Sequence, residues 1–329
     1  MVSNINTEVN RMTKIYSKPT RVAIIGTGFV GSSFAYALTQ SGVVSEIVLI
    51  DVNRDKAEGE AMDINHGMAF VNPVKVWAGN YSDTKAADVI VITAGANQRP
   101  GETRLDLAKR NTAIIKSVCQ EIVKNTKNAI IVMTANPVDV LTYVAIKETG
   151  FSPERVFGSG TLLDTARFRF LLGEHLGVDP RSVHAYIIGE HGDSELPVWS
   201  SATVGGVPIN KFCHKHPPEV CTEQLNHIFC QVKNAAYEII ERKGATYYAI
   251  GWALKRIVEA IILDQKSVLT VSTLLTNYHG ISDVCIGVPA VIGWDGIERM
   301  VELELSDLEV NKLVESASVL KSVQQSVGY

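Results

Sequence analysis

Short, continuously apolar segments alternate with helical patterns in the first half of the chain. The segments read RVAIIG, EIVLID, VKVWAG, ADVIVITAG and AIIVMTANP. Strands that are apolar on both faces are typical of a parallel sheet covered by helices on both sides. The pattern therefore predicts an α/β domain over residues 21–160, with a Rossmann-type, doubly wound parallel sheet.

The pattern changes after residue 160. A helix is predicted at Leu162 to Leu176, followed by a strand, VHAYIIG, and by long helices around 219–243 and 246–263. Two further strands, SVLTVSTLL and DVCIGVPAVIG, and a charged C-terminal helix complete the chain. Residues 161–329 are therefore expected to form a second, mixed α+β domain.

Composition narrows the class of protein without identifying it. With 329 residues the chain is long enough for two domains. Its 31 basic and 35 acidic residues give a net charge of -4, which favours neither nucleic acid nor an anionic membrane as a partner. The polar N-terminal stretch and the lack of a long apolar run predict a cytoplasmic protein.

The spacing of the cysteines and of the histidines near them does not favour a metal site. The five cysteines are odd in number and include no CxxC pair, so reduced thiols are expected. One cluster has irregular spacing and contains a lysine and two prolines, which favours a solvated loop over a metal site. No metal is therefore expected. The cluster consists of Cys213, His214, His216 and Cys221.

A glycine motif, GTGFVG, lies directly between the first strand and the first helix. Its glycines, Gly26, Gly28 and Gly31, allow a tight turn and let backbone N–H groups and the helix N-terminus approach a pyrophosphate. Asp51 follows 20 residues later at the tip of the next strand, where a carboxylate can bind both ribose hydroxyls. Its charge favours NAD over NADP, although a simple turn cap is the alternative.

Three residues of the second half suggest proton transfer beside an anion site. Asp164 and Arg167 lie one helical turn apart on a helix rich in Leu and Phe, so they share one face. His191 follows the predicted strand VHAYIIG between two glycines, and Asp164 would stabilise its imidazolium as a proton donor and acceptor. A surface ion pair and a structural histidine remain the alternatives.

The segment TAGANQRPGETRLDLAKRN follows the fourth strand. Its glycines and polar residues are typical of a lid that closes over a substrate. Closure would bring Arg104 to a carbonyl oxygen on which negative charge develops. An ordinary solvated loop is the alternative.

These motifs together resemble the bacterial type of L-lactate dehydrogenase, from Arg21 to about Ser326. The resemblance is carried by GTGFVGSSFAYAL, GANQRPGETRLDL, TANPVDV, LLDTARFR, IIGEHGDSELPVW and KGATYYAIGWAL. It implies reversible reduction of pyruvate to L-lactate with NADH. It implies that His191 is the acid–base residue, that Asp164 is its partner and that Arg167 anchors the substrate carboxylate. It also implies that Arg104 polarises the carbonyl, that Asn136 contacts both carbonyl and cofactor, and that Thr246 limits the side-chain pocket. The NAD-binding positions it implies are Gly26, Gly28, Val30, Gly31, Asp51, Lys56, Tyr81, Gly95, Ala96, Ser117 and Asn136.

Gln98 separates this resemblance from the nearest alternative, malate dehydrogenase, which carries an arginine at the matching position. Arg167 can neutralise one substrate carboxylate, but a second carboxylate buried beside neutral Gln98 would lack a counterion. Pyruvate is therefore favoured over oxaloacetate. Malate or another 2-hydroxy acid remains the alternative substrate. A metal-dependent NAD glycosidase and a catalytically silent NAD-binding protein are alternatives from other classes.

The resemblance also implies regulation and assembly. Arg169 lies about 200 degrees around the helix from Arg167 by ordinary helix geometry, so it must point elsewhere. Arg169 and His184 match the positions at which bacterial lactate dehydrogenases bind fructose 1,6-bisphosphate across a subunit dyad. A plain interface pair is the alternative. The family further implies a homotetramer and an N-terminal arm, residues 1–20.

Overall fold

The computed structural model describes residues 19–97, 101, 103–212 and 218–329. A nine-stranded sheet runs through this part of the chain in the order β14-β13-β12-β6-β5-β4-β1-β2-β3. Its strands are β1 (Arg21–Ile25), β2 (Glu46–Ile50), β3 (Lys75–Ala78), β4 (Val89–Ile92), β5 (Ile130–Met133), β6 (Val156–Gly158), β12 (Ser267–Leu274), β13 (Cys285–Gly293) and β14 (Gly296–Met300).

Helices cover the sheet and build the second half of the chain. The bounds are α1 (Phe29–Thr39), α2 (Arg54–His66), α3 (Arg104–Asn125), α4 (Val138–Thr149), α5 (Leu162–Leu176), α6 (Ile209–Phe212), α7 (Pro218–Lys243), α8 (Tyr248–Ile262) and α9 (Asp307–Ser326). Short 3-10 turns occupy Met68–Phe70, Tyr81–Ala86, Pro153–Arg155 and Pro180–Ser182. Among the described residues, none of the helices has both the length and the apolar character needed to cross a membrane.

Strands β1 to β6 are parallel neighbours in the order β3-β2-β1-β4-β5-β6, the Rossmann arrangement predicted from the sequence. Alternate residues of β1 point to opposite faces of the sheet. Val22 and Ile24 pack in one core with helices α1 and α8, whereas Ala23 and Ile25 pack in the other with α3 and α4. The strand order reverses between β1 and β4, and a crevice for a ligand is expected there.

The second half of the chain extends the same sheet. Strand β12 pairs antiparallel with β6 at Ser272 and Gly158, and then with β13 along its whole length. The α/β fold class is confirmed, including the mixed α+β character of the second half. The helix predicted at Leu162 to Leu176 has those bounds, and ends at Gly177 in the left-handed conformation.

The prediction of one continuous strand at VHAYIIG is wrong. The segment forms two short strands, β7 (Val183–His184) and β8 (Ile187–Ile188), which belong to different small sheets. Strand β7 pairs with β10 (Thr203–Val204), which also pairs with β11 (Val207–Pro208), and β8 pairs with β9 (Leu196–Pro197). Between them the carbonyl of Ala185 accepts a hydrogen bond from the Arg169 side chain at 2.9 Å, and this contact takes the place of a strand neighbour.

Candidate active site

The glycine loop after β1 leaves room for backbone contact with an anion. Gly26 has a φ of 101°, and a Cβ there would lie 2.6 Å from the amide nitrogen of Ala94. A Cβ on Gly31 would lie 2.0 Å from the carbonyl oxygen of Gly26, so helix α1 packs closely on the turn. Gly28 caps the helix without a side-chain hydrogen bond and faces open space. The first amides of α1 are thus available to a phosphate.

Asp51, at the end of β2, holds the same loop. One carboxylate oxygen accepts hydrogen bonds from the backbone N–H of Thr27 at 2.6 Å and from its hydroxyl at 3.0 Å. The other accepts the backbone N–H of Asn53 at 2.9 Å. Partial burial raises the pKa of Asp51, but these hydrogen bonds outweigh burial and hold it below its ordinary value. The carboxylate of Asp51 is therefore charged and lies beside the glycine loop.

The loop after β4 is joined to the loop after β5 by a residue that sequence reasoning missed. The buried amide of Asn111, on α3, accepts the backbone N–H of Ala96 at 2.8 Å and donates to the carbonyl of Asn136 at 2.7 Å. A Cβ on Gly95 would approach Ala135 to 3.1 Å. Three of the predicted cofactor positions, Gly95, Ala96 and Asn136, are therefore held side by side. A buried asparagine in a helix otherwise lined by Ile and Val was the available signal.

The remaining predicted cofactor positions lie around this crevice with fewer contacts. Val30 is half-buried in the first turn of α1, and Lys56 is exposed in α2, where its charge lowers the pKa of Asp51. Tyr81 is half-buried in the 3-10 turn after β3, and burial raises its pKa. Ser117 is exposed on α3. The structure brings the glycine loop and Asp51 into direct contact, but shows no such contact for Ser117 within the described residues.

His191, Asp164 and Arg167 come together as predicted. Nδ1 of His191 lies 2.5 Å from one carboxylate oxygen of Asp164, and Nη1 of Arg167 donates to the other at 2.8 Å. Asp164 is 4% exposed and Arg167 13%, whereas the imidazole of His191 is 28% exposed and leaves its other nitrogen accessible. A surface ion pair is thereby excluded for the Asp164–Arg167 couple.

The electrostatics favour a protonated histidine. The negative charge of Asp164 raises the pKa of His191 to about 9, against the opposing effect of burial. Burial would raise the pKa of Asp164, but the charges of His191 and Arg167 hold it below its ordinary value. The pair is therefore imidazolium and carboxylate at neutral pH, the state required of a proton donor.

The backbone of His191 is fixed by a second carboxylate that sequence reasoning missed. Its N–H donates to Asp139 at 2.8 Å, and Asp139 is fully buried at the start of α4. Burial raises the pKa of Asp139 to about 6. The neighbouring Gly189 bonds to Gly287 of β13 in both directions at 2.9 Å. The only signal for Asp139 was its place in the motif TANPVDV.

Arg104 is the first residue of α3, whose start is fixed by a capping box between Thr103 and Asp106. Its guanidinium forms an ion pair with Asp193 at 2.5 Å and donates to the hydroxyl of Tyr237 at 2.7 Å. Asp193 is two residues from His191, so Arg104 lies at the edge of the same site.

Two further predicted substrate residues have different outcomes. Thr246 is half-buried in the link between α7 and α8, and it makes no hydrogen bond to the other site residues in the described part of the chain. Gln98 lies outside the described residues.

Arg169 and His184 are close in the fold but differ in exposure. The Arg169 guanidinium contacts the carbonyl of Ala185 and stacks over the Tyr186 ring, 5.1 Å from its centroid. Burial lowers the pKa of Arg169. His184 is exposed on β7, one residue before Ala185. Arg169 thus points away from Arg167, as the helix spacing predicted.

The expectation of five reduced cysteines is wrong at one position. Cys221 is disulfide-bonded, whereas Cys119, Cys230 and Cys285 are free thiols. A disulfide sulfur has no thiolate to offer a metal. The other three residues of the candidate metal cluster, Cys213, His214 and His216, lie outside the described residues.

A Rossmann sheet with a glycine loop and a carboxylate at the end of β2, joined to a histidine–aspartate pair and an arginine, is the arrangement of an NAD-dependent dehydrogenase. Comparison with known families agrees. The lactate/malate dehydrogenase NAD binding domain matches residues 20–158, and the lactate/malate dehydrogenase alpha/beta C-terminal domain matches residues 161–327. The chain belongs to the lactate/malate dehydrogenase family.

Individual relatives narrow this assignment. The L-lactate dehydrogenase of Acetivibrio thermocellus is 53% identical over 305 residues, which cover 92% of this chain and 96% of that protein. That of Geobacillus thermodenitrificans is 54% identical over 304 residues, covering 92% and 96%. A lactate dehydrogenase from a Medee basin deep-sea metagenome library has a solved structure with a TM-score of 0.92 at 47% identity, covering 95% of this chain and all of that one. The solved structure of the minor L-lactate dehydrogenase of Enterococcus mundtii has a TM-score of 0.90 at 46% identity, and the match covers 94% of this chain and 98% of that one. Within the family, the chain is similar to the L-lactate dehydrogenases.

Proposed function

We propose that the protein is an L-lactate dehydrogenase that reversibly reduces pyruvate to L-lactate with NADH, and that His191 is its proton donor and acceptor. One observation carries the proposal. Asp164 binds His191 through one carboxylate oxygen and Arg167 through the other, so a proton donor and a fixed cation face the same place. NADH supplies the hydride when bound, and the chain supplies the proton and the electrostatic support.

Arg167 anchors the substrate carboxylate. Only Nη1 is used by Asp164, and no other hydrogen bond of this guanidinium forms within the described residues. Its remaining N–H groups can hold a carboxylate in a bidentate pair. The keto oxygen then lies toward the free nitrogen of His191, which donates its proton as the carbonyl is reduced and takes it back during lactate oxidation.

The other substrate residues shape the pocket and favour the developing charge. Arg104 polarises the carbonyl once its guanidinium turns from Asp193 toward the substrate, and that turn is the closing step of the proposed lid. Asn136 contacts both carbonyl and cofactor, and Thr246 limits the size of the substrate side chain. Gln98 excludes a second carboxylate because it offers no counterion.

Steady-state kinetics test these roles. Oxidation of NADH is followed with pyruvate, oxaloacetate and 2-oxoisocaproate as substrates. Wild-type enzyme should prefer pyruvate, and His191→Asn should lose at least a hundredfold in kcat, the usual contribution of a positioned acid. A preference for oxaloacetate would favour malate dehydrogenase, and undiminished turnover by His191→Asn would remove the proton-transfer role.

We further propose that fructose 1,6-bisphosphate activates the enzyme at a subunit dyad through Arg169 and His184. Arg169 lies on α5 and His184 on β7, and the Arg169 side chain donates to the carbonyl of Ala185, the residue after His184. Contributed twice by symmetry, they form a cluster that repels itself when empty and binds phosphates when filled. Titration of the activity with fructose 1,6-bisphosphate tests this, and no response to the effector contradicts it.

The assembly proposed is a homotetramer located in the cytoplasm. Helices α1 and α8 pack closely, with Phe29 stacked on Tyr247 at 5.1 Å. Both helices leave large side chains exposed, including Tyr36 at 62%, Tyr248 at 65% and Trp252 at 53%. Exposed aromatic side chains of this size on two helices that pack together support contact with a second copy of the chain. Sedimentation equilibrium measures the oligomer, and a monomer at micromolar concentration contradicts the proposal.

The domain boundaries proposed are 21–160 for the dinucleotide-binding unit and 161–329 for the catalytic unit, with residues 1–20 as an arm on a neighbouring subunit. The first 18 residues lie outside the described part of the chain.

A further inference from the structure

A third carboxyl group lies beside the catalytic pair and has no part in the roles given so far. Glu195 is 7% exposed, and ligand atoms of Glu195, Asp164 and His191 all lie within 4.8 Å of one another. Its position is fixed, because Leu196 and Pro197 pair with strand β8, which ends shortly before His191. The pairing of the next two residues therefore fixes the backbone of Glu195 beside the site.

The environment of this carboxyl disfavours its charged form. Its Oε1 atom is buried and accepts no hydrogen bond from the described residues. An ionised carboxylate would be costly there, since it would face Asp164 without a direct partner. The charged groups around Glu195 are Asp164 and Arg167 of α5, His191 of its own loop and Lys233 of α7. Burial is the main reason that the pKa of Glu195 is raised to about 8.

A purely structural role does not account for the residue. Lys233 donates to the carbonyl of Asp193 at 2.7 Å, and not to Glu195. The loop is fixed by other hydrogen bonds: the hydroxyl of Ser194 donates to the Glu190 carboxylate and also bonds to the hydroxyl of Ser316. A buried carboxyl that leaves an oxygen without a partner weakens the fold relative to an apolar residue of similar size. Buried carboxyl groups with a strongly shifted pKa cluster at functional sites.

We propose that Glu195 is a positioning residue for proton transfer: it stays neutral while pyruvate is reduced near neutral pH, and on ionising in alkaline solution it keeps His191 protonated. Glu195 can act in this way only if His191 is the proton donor, as proposed above. The groups that set the charge of His191 are then Asp164 of α5, Asp139 of α4 and Glu195 of its own loop. Only the last changes charge in the alkaline range.

The pH dependence of kcat/KM for pyruvate tests the proposal. Glu195→Gln is a neutral mimic of the acid, so it should match wild type near pH 6. Its alkaline limb should move down by about one pH unit, because a unit negative charge within 5 Å no longer favours imidazolium. Glu195→Asp keeps an ionisable group and should restore much of the wild-type limb. Glu174→Gln, an exposed acid-to-amide change on α5, is the matched control and should have no effect.

Binding of oxamate, an unreactive analogue of pyruvate, to the enzyme–NADH complex gives the same information without chemistry. The Kd of oxamate should rise as the pH is increased, and in Glu195→Gln this rise should begin at a lower pH than in wild type. A uniform loss at every pH with no displacement of the limb would assign Glu195 a structural role and overturn the proposal.

Infrared spectroscopy of the wild-type holoenzyme tests the proposal without any substitution, so its result does not depend on whether a variant folds. The C=O stretch of a protonated carboxylic acid should be present at neutral pH and disappear on titration into alkaline solution. Its absence at neutral pH would also overturn the proposal. A wild-type enzyme with no alkaline limb, or an active His191→Asn, would instead refute the role of His191 itself.

Discussion

Replacing Asp164 by asparagine tests the central pair most directly. The change removes the charge that is the main cause of the raised pKa of His191 while keeping the size of the side chain. The increase from 6.5 to about 9 represents roughly 3 kcal/mol in favour of imidazolium, at ~1.4 kcal/mol per pH unit. Without Asp164, the pKa of His191 should return toward its ordinary value.

The consequence for activity depends on pH. If the pKa falls to its ordinary value, the protonated fraction of His191 barely changes near pH 6, decreases about tenfold near pH 7.5, and decreases by more than a hundredfold near pH 9. A further loss that does not vary with pH is expected, because the amide no longer fixes the imidazole orientation and leaves Arg167 without its charged partner.

The assay is kcat/KM for pyruvate reduction from pH 5.5 to 9.5, with wild type, Asp164→Asn and the exposed control Glu174→Gln. The ratio of wild type to Asp164→Asn should grow steadily with pH, while the control ratio stays near one. A large but constant ratio would mean that Asp164 acts only through geometry, and would refute the electrostatic reasoning.

Three other predictions concern substrate choice, cofactor choice and stability. Gln98→Arg should shift preference toward oxaloacetate by at least a hundredfold in relative kcat/KM, since it supplies the missing counterion; unchanged pyruvate selectivity would contradict this. Asp51→Asn should raise the ratio of kcat/KM with NADPH to kcat/KM with NADH by about tenfold, because the repulsion between the Asp51 carboxylate and the added phosphate is lost. The same ratio in the variant and in wild type would mean that Asp51 does not determine cofactor choice. The free energy of unfolding, measured with urea, should contain a contribution from protonated His191 that is complete below pH 6.5 and lost as pH rises to about 9; Asp164→Asn should lack this decline.

Much of the fold could be predicted because its signals are local. The parallel strands are apolar on both faces, and the helix at Leu162–Leu176 has the expected bounds. The glycine loop was equally predictable, since Gly26 and Gly31 occupy places where a Cβ would meet backbone atoms. The contact of Asp164 with Arg167 and His191 was expected from the one-turn spacing of Asp164 and Arg167 together with the strand end before His191.

The remainder depends on contacts between residues distant in the chain. The segment VHAYIIG has the composition of one strand, but the Arg169 side chain bonds Ala185 in its middle. Asn111 joins two loops that are 40 positions apart in sequence. Asp139 meets the backbone of His191 across 52 positions. None of these partners can be inferred from periodicity, because their polar groups are satisfied only by the tertiary fold.

The arrangement of carboxyl groups explains how a histidine can be both strongly supported and a useful acid. Asp164, Asp139 and Glu195 all surround His191, and three full negative charges would hold its proton too tightly for transfer at neutral pH. Two features avoid this outcome: Arg167 compensates the charge of Asp164, and burial lets Glu195 keep its own proton. At neutral pH the imidazole therefore faces the compensated charge of Asp164 and the charge of Asp139, and the charge of Glu195 is added only when the solution itself begins to remove the proton of His191.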